Sequence, residues 1–594
     1  MRLPTVSISD GCSQPIKNLS ITEVSLVVLA FFFVLVPNRS PRAQNPMEVA
    51  RERRVIPGYS EPNTPPNVPI SEALRSAVTD REAMRSGQVN LNQAIYVRFF
   101  DRSRTAPPKF IAIFLPGLAV GANNFAVLAR ELVRLSNGDA EAWAVDLRSN
   151  LLEDTTGMRE AEGNGTVAAA LSALSAYRNH AAGRGGYIAN HPFEVSRFMS
   201  EWGLDVHLRD FKAIVEQARS VGGTSQPKVF LAGHDFYGSS LAAHFAAYNF
   251  DGAPGYTLLS GLVLLDGTPA PNAPDPRAPR PPSDSAYLND GAMFGTLRLP
   301  GLNVLRNPRG PGDEPFLFTD RFNPFRLQLR EIVAQLAAFD PEAASALPAE
   351  FGPPVPATNA ATLALGIDDE FSDSEDERYS VGFLRLPAGG GLSDVAAQKQ
   401  DPEGANPNGL FVPRSLGVDA VGNPILQRWN NLKDLSTIGL SGKEPSDLPS
   451  VARGFFVGEG GSSTPSSEAN YLQWYYPKRL LLDMLLASNL RPRLSTALVM
   501  ALRERGGNSI TETENARVNI PILGLSAERG ILVHNVPSPF PFSFVYSSYV
   551  FSLQARPPFF SKLLPDYAHR DPTWSAEPLV PSLLIQFMTT GRPN

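Results

Sequence analysis

The chain has 594 residues, 43% of them apolar and 19% charged, enough to bury a sizeable core and to exclude wholesale disorder. Fifty-three basic against 59 acidic residues leave a net charge of −6, which gives no electrostatic footprint for nucleic acid. The single cysteine, Cys12, excludes an intramolecular disulfide framework and a Cys-rich zinc site.

Taken in chain order, the first feature is the apolar run Val24 to Val36, ended by Pro37. It is short for a membrane span of about 20 residues and suits the apolar stretch of a secretory leader. Residues 1–43 are therefore read as a signal peptide, with an uncleaved membrane anchor as the alternative. Export to the periplasm or medium is the expected location. Residues 44–90 are polar and proline-rich and read as a linker, with one helix near Ile70–Ala83.

An alternating strand and helix series begins at about residue 91. FIAIFL at 110–115 is a continuous apolar run, as a buried parallel strand requires. Phe125, Leu128, Leu132 and Leu135 recur at helical spacing, and AWAVDL at 142–147 is a further strand. An amphipathic helix is predicted over Val206–Val221, then the strand KVFLA, a helix over Phe236–Tyr248 and the strand GLVLL at 261–265. Beyond Asp266, a proline-dense stretch over residues 269–282 cannot continue a sheet. Helical segments follow near 325–338 and 468–488. Strand patterning returns at NIPILGL, 519–525, and a helix over Leu579–Thr589 closes the chain. This order predicts one α/β core, a mostly parallel sheet flanked by helices, built from residues 91–266 and 515–594. Residues 267–514 would form a large inserted cap.

The strand KVFLA runs into Gly233-His234-Asp235-Phe236-Tyr237-Gly238 and then a helix. A sharp strand-turn-helix of this kind lifts one side chain above the carboxyl edge of a sheet. The next backbone N–H becomes an oxyanion donor at a helix N-terminus. Gly233 supplies the small residue before the raised side chain. Tyr237 stands where a second small residue is usual, with Gly238 one place later.

These residues resemble the nucleophile elbow of the α/β-hydrolase superfamily. Leu115-Pro116-Gly117-Leu118 leaves a strand where that superfamily places its other oxyanion donor. Asp146-Leu147-Arg148 ends the next strand, and Leu564 to Asp571 looks like the loop carrying the late histidine, His569. Gly-His-Asp followed by an aromatic is similar to the elbow of epoxide hydrolases and haloalkane dehalogenases. Pro116-Gly117 and Phe236-Tyr237 depart from those families, and the rest of the chain reads more like a lipase or esterase.

The resemblance implies Asp235 as nucleophile, His569 as the base that activates water, and the Leu118 and Phe236 N–H groups as the oxyanion hole. The position expected for the third, acidic member holds Gly530. Asp266, at the end of LVLLD, and Glu528 are the two substitutes, with Asp266 preferred. A carboxylate is ionised at neutral pH without a base, and at an alkyl carbon it forms an ordinary ester. A small, apolar epoxide or haloalkane is the expected substrate. Tyr471, Tyr475 or Tyr476 could donate a hydrogen bond to the leaving oxygen, although with Trp474 they also have the spacing of a buried aromatic helix face.

Two alternatives stand beside this reading. Asp235 could be a helix cap in a non-catalytic relative that binds a ligand or partner. The chain could be an esterase using Ser239 or Ser240. His234 reads as structural. Seven carboxylates in Asp368–Glu377 lack the calcium-loop pattern and read as a solvated loop. No metal or cofactor is expected. Asn164-Gly165-Thr166 matches a glycosylation sequon, relevant only to a eukaryotic secretory route.

Overall fold

The structure is a computed structural model that describes residues 47–64, 68–69, 88–190, 196–267, 269, 285–294, 297–319, 321–372, 374, 377–385, 410–411, 413, 415–458, 471–484, 517–534, 546, 549–550, 553–575 and 577–592. The apolar run at 24–36 and the helix expected near Ile70–Ala83 lie outside these residues. Among the described residues, no helix is long and apolar enough to cross a membrane.

Eight strands form the main sheet: β1 Val49–Pro57, β2 Gln93–Asp101, β3 Phe110–Leu115, β4 Ala140–Asp146, β5 Lys228–His234, β6 Gly261–Leu265, β7 Ile522–Arg529 and β8 Phe559–Ala568. They lie in the order β1-β2-β4-β3-β5-β6-β7-β8. β2 runs antiparallel to both its neighbours, and every pair from β4 to β8 is parallel. β1 corrects the linker expected over residues 44–90. Its nine residues pair with the whole of β2, from Val49 opposite Asp101 to Pro57 opposite Gln93. Its Arg-rich composition hides it, because an edge strand buries little and tolerates charge.

The two faces of the sheet follow the period of two. Ile111, Ile113 and Leu115 point to one side, together with Leu231 and Leu264. Ala112 and Phe114 point to the other, with Ala232 and Leu265. The second face is covered by α1 (Ala126–Leu135) through Leu128 and Leu132. The first is covered by α2 (Leu204–Ser220) through Phe211 and Ile214, and by α3 (Asp235–Ala247) through Leu241 and Phe245. Helices on both faces of a mostly parallel sheet are what continuous apolar strands require.

The chain leaves the sheet after β6 and returns at β7. Between them lie α4 (Pro324–Phe339) and α5 (Asn359–Ile367). Asn323 caps α4 by accepting the Arg326 N–H, and Thr358 caps α5 by accepting the Ala361 N–H. The helix α6 (Leu579–Thr590) closes the second face. Residues 471–476 are not the helix that their spacing predicts. They form bends around an isolated bridge at Leu472, and the helix there begins only at Lys478, after Pro477. Backbone bonds from Gly121 N–H to the Tyr471 carbonyl and from Gln473 N–H to the Ala119 carbonyl tie this segment to the loop after β3.

Candidate active site

β5 ends at His234 and α3 begins at Asp235, with no residue between. The turn is made by Asp235 itself, which holds the left-handed backbone at φ +67°. Such a conformation costs a non-glycine residue on the order of 1 kcal/mol or more and persists only where the surroundings enforce it. Two glycines enforce it. A Cβ on Gly233 would stand 2.0 Å from the Gly238 carbonyl oxygen, and one on Gly238 would stand 2.8 Å from that of Leu115. The close approach thus falls on Gly238, leaving Tyr237 free to turn its buried ring toward Tyr476, 6.5 Å away between centroids.

The Asp235 carboxylate lies on the loop that leaves β3. Its Oδ2 accepts the Leu118 N–H at 3.0 Å, and its Oδ1 accepts the Phe236 N–H. Both N–H groups expected to form an oxyanion hole therefore converge on this side chain. Gly117 permits the approach, since a Cβ there would meet Asp235 Oδ2 at 2.8 Å. Asp146, at the end of β4, accepts the Ala122 N–H at 2.6 Å and so braces the far side of the same loop. Burial raises the Asp146 carboxyl to about 6, against the opposing pull of that N–H and of Arg53 and Arg51.

His569 follows β8 and is fully buried. Its Nδ1 pairs with Asp266 Oδ2 at 2.7 Å, while its Nε2 is buried with no hydrogen-bond partner among the described residues. Burial, and then the neighbouring Arg570 guanidinium, hold the imidazole well below its usual range. It is thus neutral near pH 7, with the Nδ1 proton directed at Asp266. Asp266 is itself held by the Ala527 N–H at 3.0 Å and the Ile531 N–H at 3.1 Å. Gly530 is small because it must be: a Cβ there would stand 2.2 Å from Asp266 Oδ2. A Cβ on Gly267 would likewise meet the Asp235 carbonyl oxygen at 2.1 Å, so the turn after β6 lies directly against the elbow.

His234 joins the two halves. Its ring stacks on that of His569 at 4.7 Å, and its Nε2 lies 2.9 Å from the His569 carbonyl oxygen. Its Nδ1 lies 3.3 Å from Arg570 Nη1. With Nε2 protonated and Nδ1 accepting, both contacts are satisfied, and the side chain anchors the histidine loop. Asp571 adds a second fastening by accepting the Ala568 N–H, the Ser380 N–H and the Ser446 hydroxyl.

Of the residues singled out from sequence, the structure brings together Asp235, Asp266, His569 and the N–H groups of Leu118 and Phe236. Glu528 is not among them. β7 has a register irregularity between Ala527 and Arg529, and Glu528 within it is exposed and accepts the Asp566 N–H. Ser239 and Ser240 sit inside α3, bonded to the Gly233 and Pro269 carbonyls. Tyr476 is buried, with a hydroxyl that has no hydrogen-bond partner among the described residues. Burial and then the charge of Asp235 push its phenol upward, so it keeps its proton. The solvated-loop reading of Asp368–Glu377 is also corrected, since Asp368, Ser372 and Ser374 are buried.

No model of a known protein family matches the chain, and no curated protein matches it. Among solved structures, a candidate lipase from Sulfolobus solfataricus is 11% identical, with 84% of this chain and 91% of that one covered and a TM-score of 0.38. The peroxisomal alpha-beta-hydrolase Lpx1 of Saccharomyces cerevisiae is 11% identical, covers 92% and 91%, and has a TM-score of 0.34. The siderophore hydrolase EstB of Aspergillus fumigatus is 14% identical, covers 83% and 95%, and has a TM-score of 0.26. The strand order, the antiparallel second strand and the strand-turn-helix at Asp235 together give this chain the α/β-hydrolase fold.

Proposed function

We propose that the protein is a hydrolase in which Asp235 attacks an alkyl carbon and His569 directs water onto the resulting ester. The observation that carries this reading is the seat of the Asp235 carboxylate, on the strained elbow and against the Leu118 and Phe236 N–H groups. In the first step, an Asp235 oxygen bonds to carbon as the carbon–oxygen bond of an epoxide, or a carbon–halogen bond, breaks. The departing electron pair goes to the leaving atom. The Tyr476 hydroxyl, protonated and without a partner, is the candidate donor to a leaving oxygen.

In the second step, neutral His569 Nε2 takes a proton from water, and the hydroxide attacks the carbonyl carbon of the ester. Charge then develops on one oxygen of residue 235, and each of its two oxygens already has one backbone donor, Leu118 N–H or Phe236 N–H. Asp266 stabilises the imidazolium through Nδ1. Collapse expels the ester oxygen, which takes the proton from His569 and leaves as the alcohol; the proton remaining on the Asp235 carboxyl returns to the Tyr476 oxygen where an epoxide was opened, or leaves with the halide, and the carboxylate is restored. A largely apolar cavity of about 310 Å³, lined by Val120, Leu329, Val333, Tyr471, Leu472 and Arg570, meets the histidine loop at Arg570 but is not lined by Asp235, Tyr476 or His569; an apolar small-molecule substrate is proposed on that lining alone. The excursion between β6 and β7 would then act as a cap. Export follows from the apolar run at 24–36, and N-terminal sequencing of the mature protein tests it.

The test is intact-protein mass of the His569→Gln variant after exposure to epoxides and haloalkanes. Without its base, an ester should accumulate and map to Asp235. A second reading, a binding protein without turnover, is favoured by the same carboxylate: both of its oxygens already accept N–H bonds, as in a satisfied cap. A folded His569→Gln protein that takes up no adduct, together with a wild type that turns over none of the compounds, would favour that reading.

A further inference from the structure

We propose that Asp368, Asp369, Glu370 and Glu444 form a calcium-binding site that fastens the excursion to the histidine loop. One carboxylate oxygen from each of the four lies within 4.8 Å of the others. Asp368 to Glu370 directly follow α5, and Glu444 comes from a segment more than seventy residues later. Calcium takes six to eight oxygens at about 2.3–2.6 Å, so oxygens on opposite sides of the ion stand about 4.8 Å apart. Magnesium, at about 2.0–2.1 Å, would need a tighter cage.

The second observation is the state of the oxygens. Asp369 Oδ1, Glu370 Oε2 and Glu444 Oε1 are buried and receive no hydrogen bond from the described residues. The side chains of Asp369 and Glu444 are 6% and 0% exposed. Buried carboxylate oxygens normally accept donors, and leaving one without a donor costs on the order of 1–3 kcal/mol. The remaining oxygens do have donors, which hold the group in shape. Asp368 accepts the Glu370 and Val381 N–H groups, and Glu444 Oε2 accepts the Gly382 N–H at 3.0 Å.

One cation already faces the group. Arg529 Nη1 lies 3.0 Å from Asp369 Oδ2, 3.0 Å from Glu370 Oε1 and 3.5 Å from Glu444 Oε1. Among the described residues a single guanidinium faces the four carboxylates and does not balance them: it leaves Asp369 Oδ1 and Glu370 Oε2 over and reaches Glu444 Oε1 only at 3.5 Å, beyond good hydrogen-bond distance. Arg529 also donates to the Asp566 carbonyl, three residues before His569. An ion seated on these carboxylates would thus be mechanically continuous with the loop that carries the histidine.

The experiment is calorimetric titration of the chelator-treated, full-length protein with calcium chloride, beside thermal unfolding with and without calcium. One calcium per chain should bind, and the unfolding midpoint should rise with its concentration. Glu444→Gln and Asp369→Asn should each weaken binding about 100-fold or more. Both should melt at or above the calcium-free wild type, because each removes a carboxyl that must otherwise repel its neighbours or take up a proton to be buried; this separates a lost ligand from a misfolded chain. Magnesium should bind more weakly. No calcium heat and no calcium-dependent midpoint in the wild type would overturn the site, as would a calcium response that both variants retain.

Discussion

Of the buried carboxylates in this fold, two groups have surroundings that differ in kind. Asp235 and Asp266 sit at strand ends, where the backbone supplies donors: Leu118 and Phe236 N–H for one, Ala527 and Ile531 N–H for the other. Asp368, Asp369, Glu370 and Glu444 face a single guanidinium and keep oxygens that no donor reaches. Peptide dipoles fixed by a sheet can hold a negative charge in a dry core and still leave it reactive. A group whose charges outnumber its donors must take up protons or a cation. The first arrangement suits chemistry on the carboxylate itself, and the second suits an exchangeable ligand.

The sharpest way to break this comparison is Asp235→Asn. If the donors around residue 235 serve a nucleophile, turnover should fall by about 10³-fold or more in steady-state kinetics. The amide would also set an NH₂ against one of two backbone N–H groups, so denaturant unfolding should show a loss of about 1–3 kcal/mol. Retained turnover would remove Asp235 from the mechanism. His569→Gln should lower steady-state turnover about 10²- to 10⁴-fold while leaving ester formation intact. Single-turnover mass spectrometry separates the two steps. Because burial and Arg570 depress the His569 pKa, the imidazole stays neutral well into the acid range. Ester hydrolysis should therefore hold its rate as pH falls through about 6.5, the ordinary histidine value, and a loss centred there would contradict that environment.

Gly530→Ala tests the acid. The added methyl would meet Asp266 Oδ2 at 2.2 Å and force it off the His569 Nδ1. A displacement near 1 Å at a positioning group costs about 10- to 100-fold in rate, read as kcat with little change in KM. Glu528→Gln, by contrast, should leave kcat unchanged, since that side chain serves the Asp566 N–H at the surface.

That contrast also explains what was legible in the sequence. The elbow was readable because six consecutive residues carry it. The inner strands were readable because both their faces are covered, so their composition is uniformly apolar. Asp266 was the preferred acid but Glu528 stayed beside it, because the choice rests on an irregularity in β7 that turns Glu528 outward. Gly530 looked like a missing acid, yet it is the space that an acid on the neighbouring strand occupies. β1 was lost in a proline-rich stretch because an edge strand needs no apolar run. The four-carboxylate group was invisible to any spacing rule, since Glu444 joins it only through the fold.

The smallest expected effect concerns that group in calcium-free protein. Burial and the neighbouring carboxylates raise the Glu370 carboxyl to about 8, and burial with Glu370 and Asp369 raises that of Glu444 to about 10, from an ordinary value of 4.5. Between pH 4.5 and 8 the folded chain then holds protons that the unfolded chain has released. Where the folded state binds more protons, stability falls as pH rises, by about 1.4 kcal/mol per pH unit for each proton held. The contribution is fully present below the unfolded value and is lost as pH climbs toward the folded one. Calcium competes with those protons for the same oxygens. Urea unfolding at pH 6, 7 and 8 should show a falling stability without calcium and a flatter one with it. Glu444→Gln, which has no proton to lose, should reduce the calcium-free slope by about one proton's worth. Equal slopes in all three samples would mean that the cluster is neutralised by neither protons nor calcium, and that Arg529 alone carries its charge.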